Sequence, residues 1–592
     1  MHCLDFEDEM LTSQSVTMEV PLFPEAPEIP NWSNLLQESR SERQLGATCI
    51  KAKFLDSFPA WKEQLILYSL KLCQVSEISD EQSGIAEERK KRLILNTRAC
   101  LKFGLSCFSL EDNDSRREVQ NEAVLVCQWH LPLVSILSQK NGDAKCRTMA
   151  ARILSNLVTG NKATSHEVRS SVPLSPSDVN SRIVNSIAET DGPEQWDGNE
   201  GEPNWVDMIL FAAWKDNREA VAAVVAALHN CICSLDDDES VGDSFVHEVS
   251  SDAVLICTLL RYFISVDRIV HNHKFEEANQ EDAPDCATQW VHLLIAKLSR
   301  LGSLPEMYKA SGSERLSHIV PEQVVLLHCL AKEVSESLTN PDKNDAKLNP
   351  LGGEAGWDHG MRRSHTFLAD IFSAIHTSFL ESESNALDTK TDESDLQMMQ
   401  SAGKVVLDML GTSFGIENQA MERLRLHFGT TTTLIQEASQ VLGFFVDTLS
   451  ARSFGRTTRE LKVSEEEHQI LTSLVRLLGN LCFRCRYNQN VMRNTKVDVP
   501  KPGDKEENTD TPKYGRSALH VLLSCTSFGH ACFTLREWSV VAIRNVLEDN
   551  EMNQQEVARL EAQQPMASAE LMNAGVRVNM DIGGKVSIEP AS

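Results

Sequence analysis

A serine framed by two glycines is the first pattern in this sequence that could carry chemistry. Gly411-Thr-Ser413-Phe-Gly415 matches Gly-x-Ser-x-Gly, which in α/β-hydrolases holds a nucleophilic serine on a sharp turn between a strand and a helix. The residues before it, from Lys404 to Leu410, fit the end of a helix at least as well as a strand, and no other strands accompany them. A serine hydrolase therefore stays an alternative, and a helix end followed by a loop is the favoured interpretation.

Two further spacings suggest metal or redox chemistry. Cys482-Phe-Arg-Cys485 resembles half of a zinc site, but a structural site needs two more ligands of matching spacing, and none is obvious nearby. A thioredoxin-like use needs a βαβ context, so we expect the two thiols to lie on one apolar face of a helix. His271 and His273 cannot share a helical face and predict a solvated loop. The sequence thus predicts no catalytic residue, no metal site and no cofactor.

Asparagines within apolar helices are the sharpest candidates for binding. Asn480 and Asn545 lie 65 residues apart in similar segments, and Asn-Gln follows each of them eight residues later. An earlier copy contains Asn156, and a weaker one contains Asn230. A buried asparagine needs hydrogen-bonding partners, which the backbone of the next repeat can supply. Two interpretations stay open: a ladder of asparagines that holds an extended peptide, or a set of ties between neighbouring repeats.

The residues around these asparagines narrow the choice of function. Nuclear-import receptors place a tryptophan four residues before each such asparagine, and here Arg152, Arg476 and Val541 occupy those positions, which disfavours an import receptor. We expect Trp538 in the core, because it is large and its helix is apolar on most of its circumference. The candidate peptide-groove or inter-repeat residues are Asn480, Asn545, Asn156, Arg544 and Trp538.

Composition and charge restrict the class of protein that must position these residues. The chain has 592 residues, with 57 Lys plus Arg against 85 Asp plus Glu, which gives a net charge of −28. Such a charge disfavours binding to nucleic acid or to an anionic membrane surface. The longest apolar run, Ala220 to Leu228, is too short to span a bilayer, and the acidic start at Met1 predicts no secretory signal. We expect reduced cysteines and a cytoplasmic protein.

Apolar residues recur with a period near 3.6 along most of the chain, and alternating strand-like runs are almost absent. Polar or acidic inserts separate these segments and predict exposed loops, at 171–204, 235–252, 341–360, 381–395 and 495–514. Repeated helices interrupted by loops predict an all-α fold, an armadillo-like α-solenoid with long disordered loops and a short C-terminal tail.

The predicted domains follow from these boundaries. They are a partly disordered leader at 1–45, N-terminal helical repeats at 46–170, a disordered insert at 171–204, central helical repeats with acidic loops at 205–465, a C-terminal armadillo domain at 466–562 with the insert 495–514, and a tail at 563–592. In the tail, Val576–Asp581 could return as Lys585–Ile588 across Ile-Gly-Gly, which predicts a small hairpin.

Two C-terminal segments resemble the ataxin-10 family. They are Leu474-Val-Arg-Leu-Leu-Gly-Asn-Leu-Cys-Phe-Arg-Cys-Arg-Tyr-Asn-Gln and Arg536-Glu-Trp-Ser-Val-Val-Ala-Ile-Arg-Asn-Val-Leu-Glu-Asp-Asn-Glu-Met-Asn-Gln-Gln, and the tail from Leu571 is similar to the ending of that family. The resemblance is strong over roughly 470–590 and departs from the family pattern at Cys532-Phe533 and in the insert 495–514.

The resemblance implies a non-catalytic scaffold that binds other proteins and is linked to cytokinesis or cell-survival signalling. It leaves the partner unnamed and a homo-oligomer open. The alternatives are a serine hydrolase that uses Ser413 and an armadillo adaptor for basic cargo peptides.

Overall fold

The computed structural model describes most of the chain beyond residue 112. The described residues are 113–138, 143–174, 204–214, 217–234, 244–273, 286–312, 315–316, 318–339, 357–380, 393–453, 463–497, 516–528, 532–559, 576–580 and 586–590, with scattered helical positions between 62 and 105. The chain divides into two compact units, Met1–Val119 and Gln120–Ser592. The second unit contains the candidate residues.

Helices dominate the described residues, and the predicted all-α fold is confirmed. In chain order they are α1 Asn113–Asn121, α2 His130–Leu137, α3 Ala144–Val158, α4 Lys162–Ser171, α5 Trp205–Trp214, α6 Arg218–Cys233, α7 Ser244–Ser251, α8 Ala253–His273, α9 Cys286–Arg300, α10 Leu304–Ala310, α11 Pro321–Thr339, α12 Trp357–Ile375, α13 Glu393–Phe414, α14 Gln419–Thr431, α15 Leu434–Ser453, α16 Glu465–Cys482, α17 Arg486–Asn494, α18 Ala518–Ser524, α19 Phe533–Leu547 and α20 Glu551–Arg559. No helix within these described ranges is both long and apolar enough to cross a membrane.

Polar side chains define where several helices begin. Asn161, Asn217 and Asn418 each accept a hydrogen bond from a backbone N–H in the first turn of α4, α6 and α14. Ser464 and Glu467 form a reciprocal capping box at the start of α16. These bonds satisfy N–H groups that have no partner inside the helix, which is why asparagine and serine recur at these positions.

Seven helices of the second unit pack side by side. We call α3, α6, α9, α11, α13, α16 and α19 the stacked helices, because each packs against the next one in this order. Their buried positions are almost entirely apolar, as in α16, where Leu471, Leu474, Leu478 and Leu481 are fully buried. The remaining helices pack behind them, so the hydrophobic core is continuous from one repeat to the next.

The described strands are few and short. β1 (Lys496–Val497) pairs antiparallel with β2 (Arg516–Ser517), so these strands bring together the two ends of residues 498–515. β3 (Val576–Met580) pairs antiparallel with β4 (Val586–Pro590), and Val578 lies opposite Ile588.

Three of the segments predicted to be loops contain helical residues instead. The acidic insert 235–252 contains α7, which buries Phe245, Val246 and Val249. Acidic residues dominate the composition of this segment and conceal its apolar residues. The spacing of the apolar residues, one and then three positions, places them on one face of a helix. Helices α12 and α13 likewise begin inside 341–360 and 381–395.

Candidate protein-interaction surface

The two C-terminal asparagines tie each stacked helix to the one before it. The Asn480 Nδ2 in α16 donates to the carbonyl oxygen of Gly411 in α13, at 2.8 Å. The Asn545 Nδ2 in α19 donates to the carbonyl oxygen of Gly479 in α16, at 3.1 Å. Asn545 is only 7% exposed. The partner backbone therefore belongs to the preceding repeat and not, as the sequence suggested, to the following one.

A buried glutamine that the sequence analysis did not identify completes this tie. The Gln489 Nε2 in α17 donates to the carbonyl oxygens of Asn545 at 2.9 Å and of Glu548 at 3.1 Å. Its Oε1 accepts from the Asn550 Nδ2 at 3.1 Å, and Asn550 also donates to Asn490 Oδ1. Gln489 is 2% exposed. The Gln489 side chain thus forms hydrogen bonds both with carbonyl oxygens at the end of α19 and with Asn550, which directly precedes α20.

The same network occurs at the other end of the unit. The Gln120 Nε2 donates to the carbonyl oxygens of Asn156 and Thr159. Asn161 in turn donates to the side-chain oxygens of Gln120 and Asn121. Asn156 therefore occupies the position of Asn545, and Asn161 that of Asn550. This agreement of contacts establishes an internal repeat between regions whose sequences match weakly.

The polar pair that follows each asparagine has a matching role. Asn488 and Gln489 donate to the carbonyl oxygens of the last two residues of α16, seven positions earlier in each case. Asn553 and Gln554 do the same for α19. Behind Asn156, where Asn-Gln is missing, the hydroxyls of Thr164 and Ser165 make the equivalent bonds to α3. Hydroxyls and amides therefore substitute for each other in satisfying carbonyls at the helix end.

Two glycines lie where a stacked helix meets the next one, and one of them leaves no room for a side chain. A Cβ atom built on Gly479 would lie 2.8 Å from the Cα of Ala542 in α19, and one built on Gly411 would lie 3.5 Å from the backbone N of Leu477 in α16. The equivalent position in α19 is Arg544, which is exposed. The glycine series thus ends at the last stacked helix.

Trp538 lies at the surface rather than in the core as predicted. Its ring is half-buried, and the Arg476 guanidinium carbon lies 6.0 Å from the ring centroid. Val540 is 56% exposed and Val541 is 44% exposed, so α19 is not enclosed by neighbours on most of its circumference. The reason is that no further stacked helix follows α19 within the described residues.

The hydrolase pattern does not have the geometry that a nucleophile needs. Gly411, Thr412, Ser413 and Phe414 are the last four residues of α13, and Ser413 is fully buried. A nucleophilic serine of this type requires an exposed turn after a strand. Gly411 instead lies against α16, which gives the glycine a packing role.

The two cysteines also lie differently from the prediction. Cys482 is the last residue of α16, and Cys485 directly precedes α17, so they flank a corner and do not share a helix face. Burial raises the pKa of both thiols, which keeps them protonated and weakly reactive. Among the described residues, no group of three His, Cys, Asp or Glu side chains could hold a metal ion. His271 and His273 end α8 rather than following it, and their side chains lie outside the described residues.

Comparisons with known proteins all point to one family. A family model described as "Spinocerebellar ataxia type 10 protein domain" matches residues 506–589. Ataxin-10 of Xenopus tropicalis is 25% identical over 295 residues, which are 49% of this chain and 50% of that protein. The ataxin-10 homolog of Dictyostelium discoideum is 23% identical over 143 residues, which are 24% of this chain and 19% of that protein.

The chain is similar to the ataxin-10 family in these segments.

The matched part spans half the length of the Xenopus ataxin-10 and about a fifth of the Dictyostelium homolog. The match to the family domain begins within the insert 495–514 and covers α18, α19, α20, β3 and all but the last residue of β4. The last stacked helix and the tail therefore lie in the part of the chain that matches this family domain.

Side chains on successive stacked helices contact each other at half-buried or exposed positions. The Arg152 Nη2 lies 3.0 Å from the Glu219 Oε2, and the rings of His229 and Trp290 lie 5.5 Å apart. Further along the stack, the Arg476 Nη2 lies 2.9 Å from the Asp408 Oδ1. We call these residues, together with Lys297, His328, Lys404 and Trp538, the stack surface; all are half-buried or exposed.

Cations lie beside two histidines in the middle of the stack surface. Burial lowers the pKa of His229, and the nearby cations Lys297 and Arg300 lower it further. Burial also lowers the pKa of His328, and the charge of Lys404 adds to this effect. These side chains come from four successive stacked helices, α6, α9, α11 and α13. Among them, Lys297 and Arg300 on α9 and Lys404 on α13 carry the positive charge, and the two histidines beside them are neutral near pH 7.

Proposed function

We propose that this protein is an ataxin-10 family member and a non-catalytic scaffold of armadillo type, which binds other proteins through the stack surface. The observation that carries the proposal is that side chains from successive stacked helices meet on one exposed surface, whereas the asparagines expected in a peptide groove donate to neighbouring repeats. A surface that crosses several repeats suits an extended binding partner.

The charge of the stack surface selects the chemistry of the partner. The ammonium groups of Lys297 and Lys404 would attract an acidic segment and repel a basic one. We therefore favour an acidic partner segment over the basic cargo of an armadillo adaptor. A hydrolase is not proposed, because Ser413 lies buried inside a helix.

The family resemblance supports a cellular role. We propose a cytoplasmic location and a contribution to cytokinesis or cell-survival signalling, with no nucleic acid and no membrane as direct partner. Homo-oligomers remain compatible with this role.

Affinity purification with mass spectrometry tests the proposal. The double variant Lys297→Glu/Lys404→Glu reverses the charge of the stack surface, and Lys309→Glu is a matched control because Lys309 is exposed on α10, outside the stack surface. We expect the double variant to lose partners that both the wild type and the control retain. Retention of every partner by a folded double variant would remove the stack surface as the binding site.

Asn480→Ala combined with Asn545→Ala provides a separate test of the asparagines. If these residues only tie the repeats together, the variant is less stable but recovers the same partners wherever it stays folded.

A further inference from the structure

One exposed leucine distinguishes α9 from the other stacked helices. Leu293 is 41% exposed. Among the described residues of α3, α6, α9, α11, α13 and α16, it is the only large hydrophobic residue that is exposed. A single exposed leucine is ordinary on a protein surface, so its surroundings must decide whether it has a function.

Leu293 shares a helix face with an aromatic residue and a cation. Trp290 lies three positions before it and Lys297 four positions after it, and these spacings place all three side chains on one side of α9. The opposite side of α9, which contains Val291 and Leu298, is fully buried. Leu293 therefore points away from the core of the stack.

His229 of the neighbouring helix α6 shows that these side chains form one local surface. Its ring packs edge-to-face on Trp290, with 5.5 Å between the ring centroids. The charges of Lys297 and Arg300 lower its pKa, so both cations lie close to it. An apolar area at Trp290 and Leu293 thus adjoins a positively charged area, within about 10 Å along α9.

A partner that carried only acidic side chains would use half of this surface. Ion pairs at exposed positions contribute little affinity and are screened by salt. An apolar side chain that covers Leu293 and the edge of Trp290 removes hydrocarbon from water, and salt does not screen that gain. Tryptophan is also frequent among the residues that dominate binding energy at interfaces.

We propose that the partner of the stack surface is an acidic segment with a large apolar side chain, which packs on Leu293 and Trp290 while the neighbouring carboxylates lie beside Lys297 and Arg300. This inference rests on the proposed function, because it specifies the partner of the same surface. A purely acidic segment and an apolar segment without acids are the alternatives that an experiment separates.

Binding of two labelled peptides to the full chain, measured by fluorescence anisotropy at low ionic strength, tests the proposal. One peptide is decaglutamate, and the other is the same peptide with one central phenylalanine. We expect the phenylalanine to increase the affinity for the wild type about fivefold. Both peptides should bind more weakly as salt is added, but the ratio of their affinities should stay constant, because the apolar contact is not screened.

Two variants locate the gain. Leu293→Gln keeps a residue that favours a helix and removes the exposed hydrocarbon, so we expect it to bind the two peptides equally. The matched control is Leu426→Gln on α14, since Leu426 is 49% exposed and lies outside the stack surface; it should retain the fivefold difference. In the wild type, a benzophenone group in place of the phenylalanine should cross-link to the tryptic peptide that contains Leu293.

The possible failures of the inference and of the proposed function differ. If the wild type bound both acidic peptides equally, or if the gain persisted in Leu293→Gln, the inference would be overturned and the acidic partner would stand. A cross-link confined to other tryptic peptides would have the same meaning. If the wild type bound neither acidic peptide, or bound an oligoserine peptide with a central phenylalanine as tightly, both the inference and the proposed function would be wrong.

Discussion

Replacing Gln489 by methionine keeps the volume of the side chain and removes all of its hydrogen bonds. The Gln489 amide is 2% exposed and joins α17 to the next repeat through the carbonyl oxygens of Asn545 and Glu548 and the Nδ2 of Asn550. Each buried polar group left without its partner costs about 1–3 kcal/mol. Asn550 keeps its bond to Asn490, so the carbonyl oxygens of Asn545 and Glu548 are the two groups across the repeat boundary that lose this partner. Taken at the lower limit, they predict a loss of about 2 kcal/mol in the free energy of unfolding.

Gln554 offers a matched control in the same chain. It occupies the equivalent position 65 residues later, but it is exposed and donates to the carbonyl oxygen of Leu547 inside its own repeat. Gln554→Met should therefore cost about 0.5–1 kcal/mol. The difference between the two variants isolates the bonds that cross between repeats.

Guanidinium unfolding followed by far-ultraviolet circular dichroism measures both changes. The midpoint should fall clearly in Gln489→Met and only slightly in Gln554→Met, with equal slopes in a comparison of the same transition. If Gln489→Met cost no more than Gln554→Met, the inter-repeat network would not stabilise the stack, and our reasoning about it would be wrong.

Three further predictions follow from close packing, burial and thiol chemistry. Gly479→Ala should destabilise the protein by about 1–3 kcal/mol, although alanine favours a helix more than glycine does, because the added Cβ meets the backbone of the next helix. Arg544→Ala, at the equivalent exposed position, should change stability by less than about 0.5 kcal/mol in thermal melts. Burial raises the pKa of Asp207 to about 6, above its value near 4 in an unfolded chain, so the folded state binds the proton more tightly. The stability of the wild type should therefore rise relative to that of Asp207→Asn as the pH falls from 7.5 to 5. Equal dependence of stability on pH in the two proteins would contradict this. In native protein at pH 7.5, iodoacetamide should modify the exposed Cys233 while the buried Cys482 stays unmodified, as peptide mass mapping can show.

The helices were largely predictable because their burial is periodic. The runs around Leu474 and Val221 repeat apolar residues at helical spacing, and α16 and α6 lie there. Helix α7 was missed because its acidic neighbours dominated the composition of the segment, although Phe245 and Val249 share a helical face. Local charge therefore concealed an element that tertiary burial stabilises.

The inter-repeat network was only partly predictable. The asparagines stood out because a polar residue interrupts an apolar helix, but Gln489 lies in a polar helix and attracts no attention by itself. A signal does exist, since Gln-Asn occurs at Gln120-Asn121 and again at Gln489-Asn490. Gln120 lies 36 residues before Asn156, whereas Gln489 lies 56 residues before Asn545. The two separations differ because the insert 495–514 lies between Gln489 and Asn545. Only the folded chain reveals that the two sets of contacts are equivalent.

The stack surface could not be predicted at all from one sequence. His229 and Trp290 are 61 residues apart, and Asp408 and Arg476 are 68 residues apart, so only the packing of successive helices brings them together. Sequence reasoning therefore located the repeats but not the surface that they share.

Binding of a fluorescent oligoglutamate peptide, measured by anisotropy at low ionic strength, tests the proposed scaffold function most directly. We expect the wild type and Lys309→Glu to bind the peptide, and Lys297→Glu/Lys404→Glu to bind it about tenfold more weakly, with the difference vanishing in high salt. Equal affinity of the three folded proteins for the acidic peptide, or a preference of the wild type for an oligolysine peptide, would contradict the account.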